Sequence, residues 1–158
     1  YDPNPKVVWK PQAGSQVAYL TCPLFEVLYG GTRGPGKTDA MLMDFAQHIG
    51  RGYGAEWRGI IFRRTFPELA DIIVKTKKWF PQIWPNAKYN HTNHQWEWPT
   101  GETLLFRPFT RDEDYWSFHG QAFTFIGWEE LCTWPTLGGY KRMMSCCRST
   151  FEGIPLKY

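Results

Sequence analysis

The chain has 158 residues, with 18 Lys and Arg against 15 Asp and Glu, for a formal net charge of +3. That length suits one domain with a real core, and so small and dispersed an excess of base permits contact with nucleic acid without requiring it. No apolar run reaches the ~20 residues that a membrane helix needs, and no signal-peptide pattern is present.

Aromatic residues make up 18% of the chain, including 9 Trp, enough to furnish a core and to mark a subunit interface. Cys22, Cys132, Cys146 and Cys147 lack the spacing of a zinc pair, and an adjacent pair does not readily bridge itself. They are expected to be reduced, intracellular, structural thiols. The chain opens on Tyr1 rather than Met and reaches Tyr158 with no clear terminator. The expectation is one domain over 1–158 within a longer protein.

Phe25-Glu26-Val27-Leu28-Tyr29 is a short apolar run that predicts a strand feeding into Gly30-Gly31. Residues 31–38 then read Gly31-Thr32-Arg33-Gly34-Pro35-Gly36-Lys37-Thr38, a complete G-x-x-x-x-G-K-[ST] phosphate loop. Met41, Leu42, Phe45, Ala46 and Ile49 recur at helical spacing as far as Gly50. Strand, glycine loop and helix together form the setting in which backbone N–H groups and a helix N-terminus wrap phosphates. Lys37 is placed to reach the β- and γ-phosphates of ATP, and the Thr38 hydroxyl to ligate Mg²⁺.

Arg58 to Phe62 predicts a second buried strand that ends at Arg63-Arg64. Thr65-Phe66-Pro67-Glu68 reads as a capping box with Pro in the first turn. Leu69, Ile72, Ile73, Trp79 and Phe80 give the following helix one apolar face, with Pro81 as its stop. Residues 88–107 change period. Trp96 and Trp98 alternate with polar residues, Pro99-Thr100-Gly101 makes a turn, and Glu102 to Phe106 runs back as a β-hairpin. His91 and His94 fall in this polar stretch and read as solvated.

Asp112, Glu113 and Asp114 precede a buried strand over Phe123–Ile126, and a last helix is expected from about 135 to 147. Strands alternating with helices predict an α/β fold with a mostly parallel sheet flanked by helices and a hairpin excursion around 88–107. The strand after Phe123 runs into Glu129-Glu130. Acids at the C-terminal edge of such a sheet sit where ligands bind. In ATP hydrolysis the first would hold Mg²⁺, directly or through water, and the second would polarise the attacking water.

The loop and the acidic pair together resemble the large terminase subunit of tailed bacteriophages, in its N-terminal packaging ATPase. Glu26 to Thr38, including Arg33 inside the loop, is similar to that family's phosphate loop. Ile60-Ile61-Phe62-Arg63-Arg64-Thr65 with Pro67-Glu68-Leu69 looks like its strand–arginine–helix segment. Phe118-His119-Gly120-Gln121-Ala122-Phe123, running into Ile126-Gly127-Trp128-Glu129-Glu130-Leu131, resembles its approach to the acidic strand.

The resemblance implies a P-loop NTPase of the additional-strand, RecA-like type that hydrolyses ATP with Mg²⁺ to drive double-stranded DNA into a preformed capsid. It implies a homo-oligomeric ring on the portal protein, a small terminase subunit as partner, no membrane, and a place in the host cytoplasm at the capsid portal rather than in the mature virion. Carried over residue by residue, Lys37, Arg33 and Glu130 are catalytic. Gly31, Thr32, Arg33, Gly34, Pro35, Gly36, Lys37 and Thr38 bind nucleotide, while Thr38 and Glu129 hold the metal.

Gln16 lies about where the family reads adenine, and a solvated loop residue is an equal reading of it. The departures are Glu129 in place of the usual Asp and His119 in place of an arginine. A coupling segment and nuclease carboxylates are also absent from 1–158. Rival readings are a helicase or secretion-type ATPase, a small-molecule kinase, and a nucleotide-switched assembly module.

Overall fold

Apolar side chains that occur at both parities of a strand require cover on both faces of the sheet. Ile60, Ile61 and Phe62 are all buried, as are Leu104, Leu105 and Phe106, and Phe125 and Ile126. The computed structural model, which describes residues 6–31 and 36–158, answers with helices on one face and irregular, largely 3-10 segments with a short helix on the other.

The helices are α1 (Ser15–Thr21), α2 (Lys37–Ala46), α3 (Phe66–Ile83) and α4 (Gly138–Met143). The strands are β1 (Arg58–Arg63), β2 (Lys88–Asn90), β3 (Gln95–Glu97), β4 (Thr103–Pro108) and β5 (Phe125–Trp128). They form one sheet in the order β2-β3-β4-β1-β5. Ile61, Leu104, Phe106 and Phe125 face α2 and α3, where Leu42, Phe45, Trp57, Leu69, Ile72 and Phe80 complete a core. Ile60, Phe62, Leu105, Ile126 and Trp128 face the other way onto Phe109, Phe118, Phe123 and Met143. Among the described residues no helix is long and apolar enough to cross a membrane.

The α/β class holds, but the sheet is mixed rather than mostly parallel. β1 runs parallel to β4 and β5, whereas β3 is antiparallel to both β2 and β4. The hairpin of 88–107 is therefore no excursion. The turn at Pro99-Thr100-Gly101 forms as expected, with the Gly101 N–H donating to the Trp98 carbonyl at 2.9 Å. Its second arm, β4, is apolar on both faces and lies in the middle of the sheet.

The strand expected over Phe25–Tyr29 does not form. Leu28 is 80% exposed and Phe25 is 39% exposed. The neighbours of this segment are Lys157 and Tyr158. The Tyr158 N–H donates to the Phe25 carbonyl at 2.8 Å, and the Val27 N–H to the Tyr158 carbonyl at 3.0 Å. Lys157 in turn bonds the other way, its N–H to the Thr124 carbonyl at 2.8 Å and its carbonyl to the Ile126 N–H at 2.9 Å. Residues 157 and 158 thus lie between β5 and Phe25–Val27.

Three smaller expectations also change. Thr65 begins α3 without a side-chain cap bond, and the Glu68 carboxylate, which would complete a capping box by accepting the Thr65 N–H, lies 3.6 Å from Arg63 instead. Pro81 lies inside α3 rather than at its end. In the last turn it removes a single N–H, that to the carbonyl of the exposed Lys77, which water can satisfy. The helix expected over 135–147 is only α4 followed by a 3-10 turn, since the Cys146 carbonyl and the Arg148 N–H are taken by Phe123 at 2.8 and 2.9 Å.

Candidate functional site

Gly36 caps α2 in the left-handed conformation, φ 70°, which glycine adopts without a Cβ penalty. Its carbonyl receives the Ala40 N–H at 2.9 Å. Lys37 folds back across the loop and donates from Nζ to the Gly31 carbonyl at 2.6 Å. Thr32, Arg33, Gly34 and Pro35 lie outside the described residues.

On the opposite side of the cleft, the Glu129 N–H donates to the Phe62 carbonyl at 3.0 Å and so extends the β1–β5 ladder by one residue. Side chains alternate along β5, so Glu129 shares the face of Gly127. Gly127 matters because a Cβ there would meet the Met41 sulfur at 2.7 Å. Its absence lets α2 press against β5. That approach brings the Thr38 hydroxyl to Glu129, and Thr38 Oγ1 donates a short hydrogen bond to Glu129 Oε1 across 91 residues of sequence. Burial pushes the Glu129 carboxyl upward and the neighbouring Glu130 adds to this, while the Thr38 bond, Arg63 and Lys75 oppose it.

Glu130 behaves differently. It is exposed and holds a left-handed backbone, φ 56°, a conformation that costs a non-glycine residue about 1 kcal/mol or more. Its carbonyl is pinned by the Thr133 N–H at 2.9 Å and the Thr133 hydroxyl at 2.8 Å. One acid is thus half-buried against α2, and the other is exposed at the mouth of the cleft.

The two arginines that end β1 separate by parity. Arg64 donates from Nη1 to the Thr133 carbonyl at 2.9 Å. Arg63 shares the face of Ile61 and meets Glu68. Beside it, Lys75 of α3 pairs with Asp39 of α2 at 3.4 Å. Sequence reasoning missed Glu68, Lys75 and Asp39 as members of this site. The available signal was parity: Ile61 aligns with Gly127, so Arg63 aligns with Glu129.

Gln16 is neither in a loop nor solvated. It lies on α1, 4% exposed, and donates from Nε2 to the Gly36 carbonyl at 3.0 Å while accepting the Gln12 N–H at 2.7 Å. Helix α1 is thereby clasped to the end of the loop. A cavity of about 300 Å³ runs from Lys37, Glu129 and Glu130 down to Val27, Asp44 and Tyr140. Asp44 is 3% exposed. Burial raises its carboxyl to about 6 against the opposing pull of Lys157, Gln47 and Tyr19.

His119 is not brought into this cleft. It is exposed, with Nδ1 2.9 Å from the Tyr115 hydroxyl. All four cysteines are free thiols, and no group of three or more His, Cys, Asp or Glu among the described residues could hold a metal. The hydroxyl and carboxylate oxygens of Thr38 and Glu129 are hard donors of the kind Mg²⁺ takes while keeping several waters.

No family model matches the chain, and no curated protein or solved structure matches it significantly.

Proposed function

We propose that this chain binds and hydrolyses ATP with Mg²⁺, as the motor domain of a terminase-like machine that moves double-stranded DNA. The observation that carries the reading is the bond from Thr38 to Glu129. The hydroxyl of a G-K-T loop and the acid that follows β5 meet at one point, and these two oxygens would hold a Mg²⁺ ion. The order Phe25–Val27, Lys157–Tyr158, β5, β1 also suits an additional-strand P-loop fold, in which a further segment separates the loop strand from the acidic strand.

In this reading Lys37 leaves the Gly31 carbonyl for the β- and γ-phosphates. Thr38 and Glu129 would hold the metal, which would supply positive charge to offset that of the phosphates. Glu130 orients a water and accepts its proton, for which its exposure and freedom suit it. Gln16, whose amide is committed to Gly36 and Gln12, holds α1 against the end of the loop rather than reading the base, and Arg33 supplies a fixed cationic fork at the phosphates. Double-stranded DNA, a portal protein, a small terminase subunit and a ring of further copies are the partners that follow from the resemblance.

The test is phosphate release from ATP, with and without double-stranded DNA, by the wild-type chain, Lys37→Ala and Glu130→Gln. Lys37→Ala should lose both binding and turnover. Glu130→Gln should keep nucleotide and lose turnover by roughly a hundredfold or more. Parental turnover in Glu130→Gln, or ordinary ATP affinity in Lys37→Ala, would overturn the assignment. Transfer of phosphate to a small acceptor would replace it with a kinase.

A further inference from the structure

Arg63 occupies an unusual position for a charged side chain. It ends β1 directly beside Glu129: the strands are in register at Phe62 and Trp128, and the Glu129 N–H continues that ladder on the Phe62 carbonyl. In a parallel pair, side chains at matching positions leave on the same face. The guanidinium therefore lies on the α2–α3 face, next to the carboxylate that Thr38 contacts. Its one ion pair, with Glu68, is loose at 3.6 Å, longer than a charge-assisted hydrogen bond.

The Arg63 side chain is only 20% exposed. Both Arg63 Nε and Glu68 Oε2 are buried without a hydrogen-bond partner among the described residues. Buried charged groups left this way are costly. A pair that is close but unbonded is one that a better anion can separate.

We propose that Arg63 is a ligand for the terminal phosphate of the bound nucleotide, and that Glu68 holds it in reserve until that phosphate arrives. The inference rests on the nucleotide-site reading and deepens it. Three features argue for the terminal phosphate rather than the others. Lys37 stands at the start of α2, whereas Arg63 stands on the far side of Glu129, one strand further along the sheet. Arginine offers a planar fork that matches a terminal phosphoryl group with two parallel bonds. The neighbouring cation, Lys75, holds Asp39 at the shorter distance of 3.4 Å, so Arg63 has the looser of the two ion pairs.

The exchange predicts different effects for the two partners. Affinities of AMP-PNP and ADP, each with Mg²⁺, should be measured by titration calorimetry for the wild type, Lys37→Ala, Arg63→Ala, Arg63→Met and Glu68→Gln, with melting temperatures alongside. Removing Arg63 should weaken AMP-PNP about tenfold or more, the loss of a charge-assisted bond, while ADP stays within about threefold. Glu68→Gln, which frees Arg63, should leave AMP-PNP binding unchanged or tighter.

Equal loss of both nucleotides in the Arg63 variants, an unchanged AMP-PNP to ADP ratio, or weaker AMP-PNP binding in Glu68→Gln would overturn the proposal. If Arg63→Ala does not fold, Arg63→Met keeps the aliphatic packing, and Glu68→Gln tests the exchange independently. Wild-type binding of neither nucleotide, or no effect of Lys37→Ala, would instead bring down the site reading and the inference with it.

Discussion

The two sides of the candidate cleft are built by different means. On the acid side, β5 is buried along its length, is laddered to β1, and is pressed by α2 through the gap at Gly127. Glu129 inherits its position from that packing. On the loop side, the segment leading to Gly31 is held by two backbone bonds to Tyr158, by side-chain bonds from Tyr140 to Glu26 and from Tyr29 to Ser15, and by ring contacts of Phe25 with Tyr158 and Tyr29 with Tyr19, while Leu28 stands in solvent. The lesson is that a run of apolar residues becomes a strand only when a neighbouring backbone and a covering layer are both available. Val27-Leu28-Tyr29 has the composition of β5 without its neighbours.

The sharpest way to break this comparison is to remove apolar bulk from each side. Phe45 of α2 is fully buried among Trp57, Trp98 and Phe125, with ring centroids 5.6–5.7 Å apart. Phe45→Ala should cost about 3–5 kcal/mol in urea unfolding, whereas Leu28→Ala should change stability by less than about 0.5 kcal/mol. Comparable losses would mean that the loop-side segment is packed after all.

A smaller effect is expected from the floor of the cleft. The Asp44 carboxyl, raised from 3.8 to about 6, binds its proton more tightly in the folded than in the unfolded chain. Its contribution is therefore present below pH 4 and is lost as pH rises from about 4 to about 6. By about pH 7 the buried carboxylate should cost on the order of 2–3 kcal/mol. Asp44→Asn cannot titrate, so its melting temperature relative to wild type should rise across that window. His48, lowered to about 4 by burial, with Lys157 and Arg51 adding to the shift, works in the opposite sense over an overlapping range. The comparison must therefore be variant against wild type at each pH. A constant difference between pH 4 and 7 would contradict the assignment to Asp44.

The smallest effect concerns the start of α3. An N-cap threonine commonly contributes about 1 kcal/mol, but Thr65 makes no cap bond. Thr65→Ala should therefore fall within about 0.5 kcal/mol of wild type by the same unfolding measurement. A full cap-sized loss would show that the Thr65 hydroxyl does cap α3.

Much of the acid side was legible in the sequence. The β1 and β5 runs, the helix after the phosphate loop and the turn at residues 98–101 all announce themselves through periodicity and turn chemistry. The insertion of β4 beside β1 was not legible, because hairpin signals are local and the parallel partner lies about forty residues away. The capping-box reading failed for a related reason. Glu68 has two possible partners, and only the sheet reveals that Arg63 is within reach. Gln16 was placed by resemblance alone, and its burial under the loop depends on a helix too short to show a period.

The central claim is that the loop and the β5 acid form one metal-dependent nucleotide site. It is tested most directly by a double-mutant cycle on Mg²⁺-dependent ATP affinity, using Thr38→Val, Glu129→Gln and the pair together. If both groups serve one metal, each single variant should lose most of the Mg²⁺ enhancement, and the double variant should be little worse than the poorer single. Additive losses, or affinity in any of the three that retains its full dependence on Mg²⁺, would contradict it.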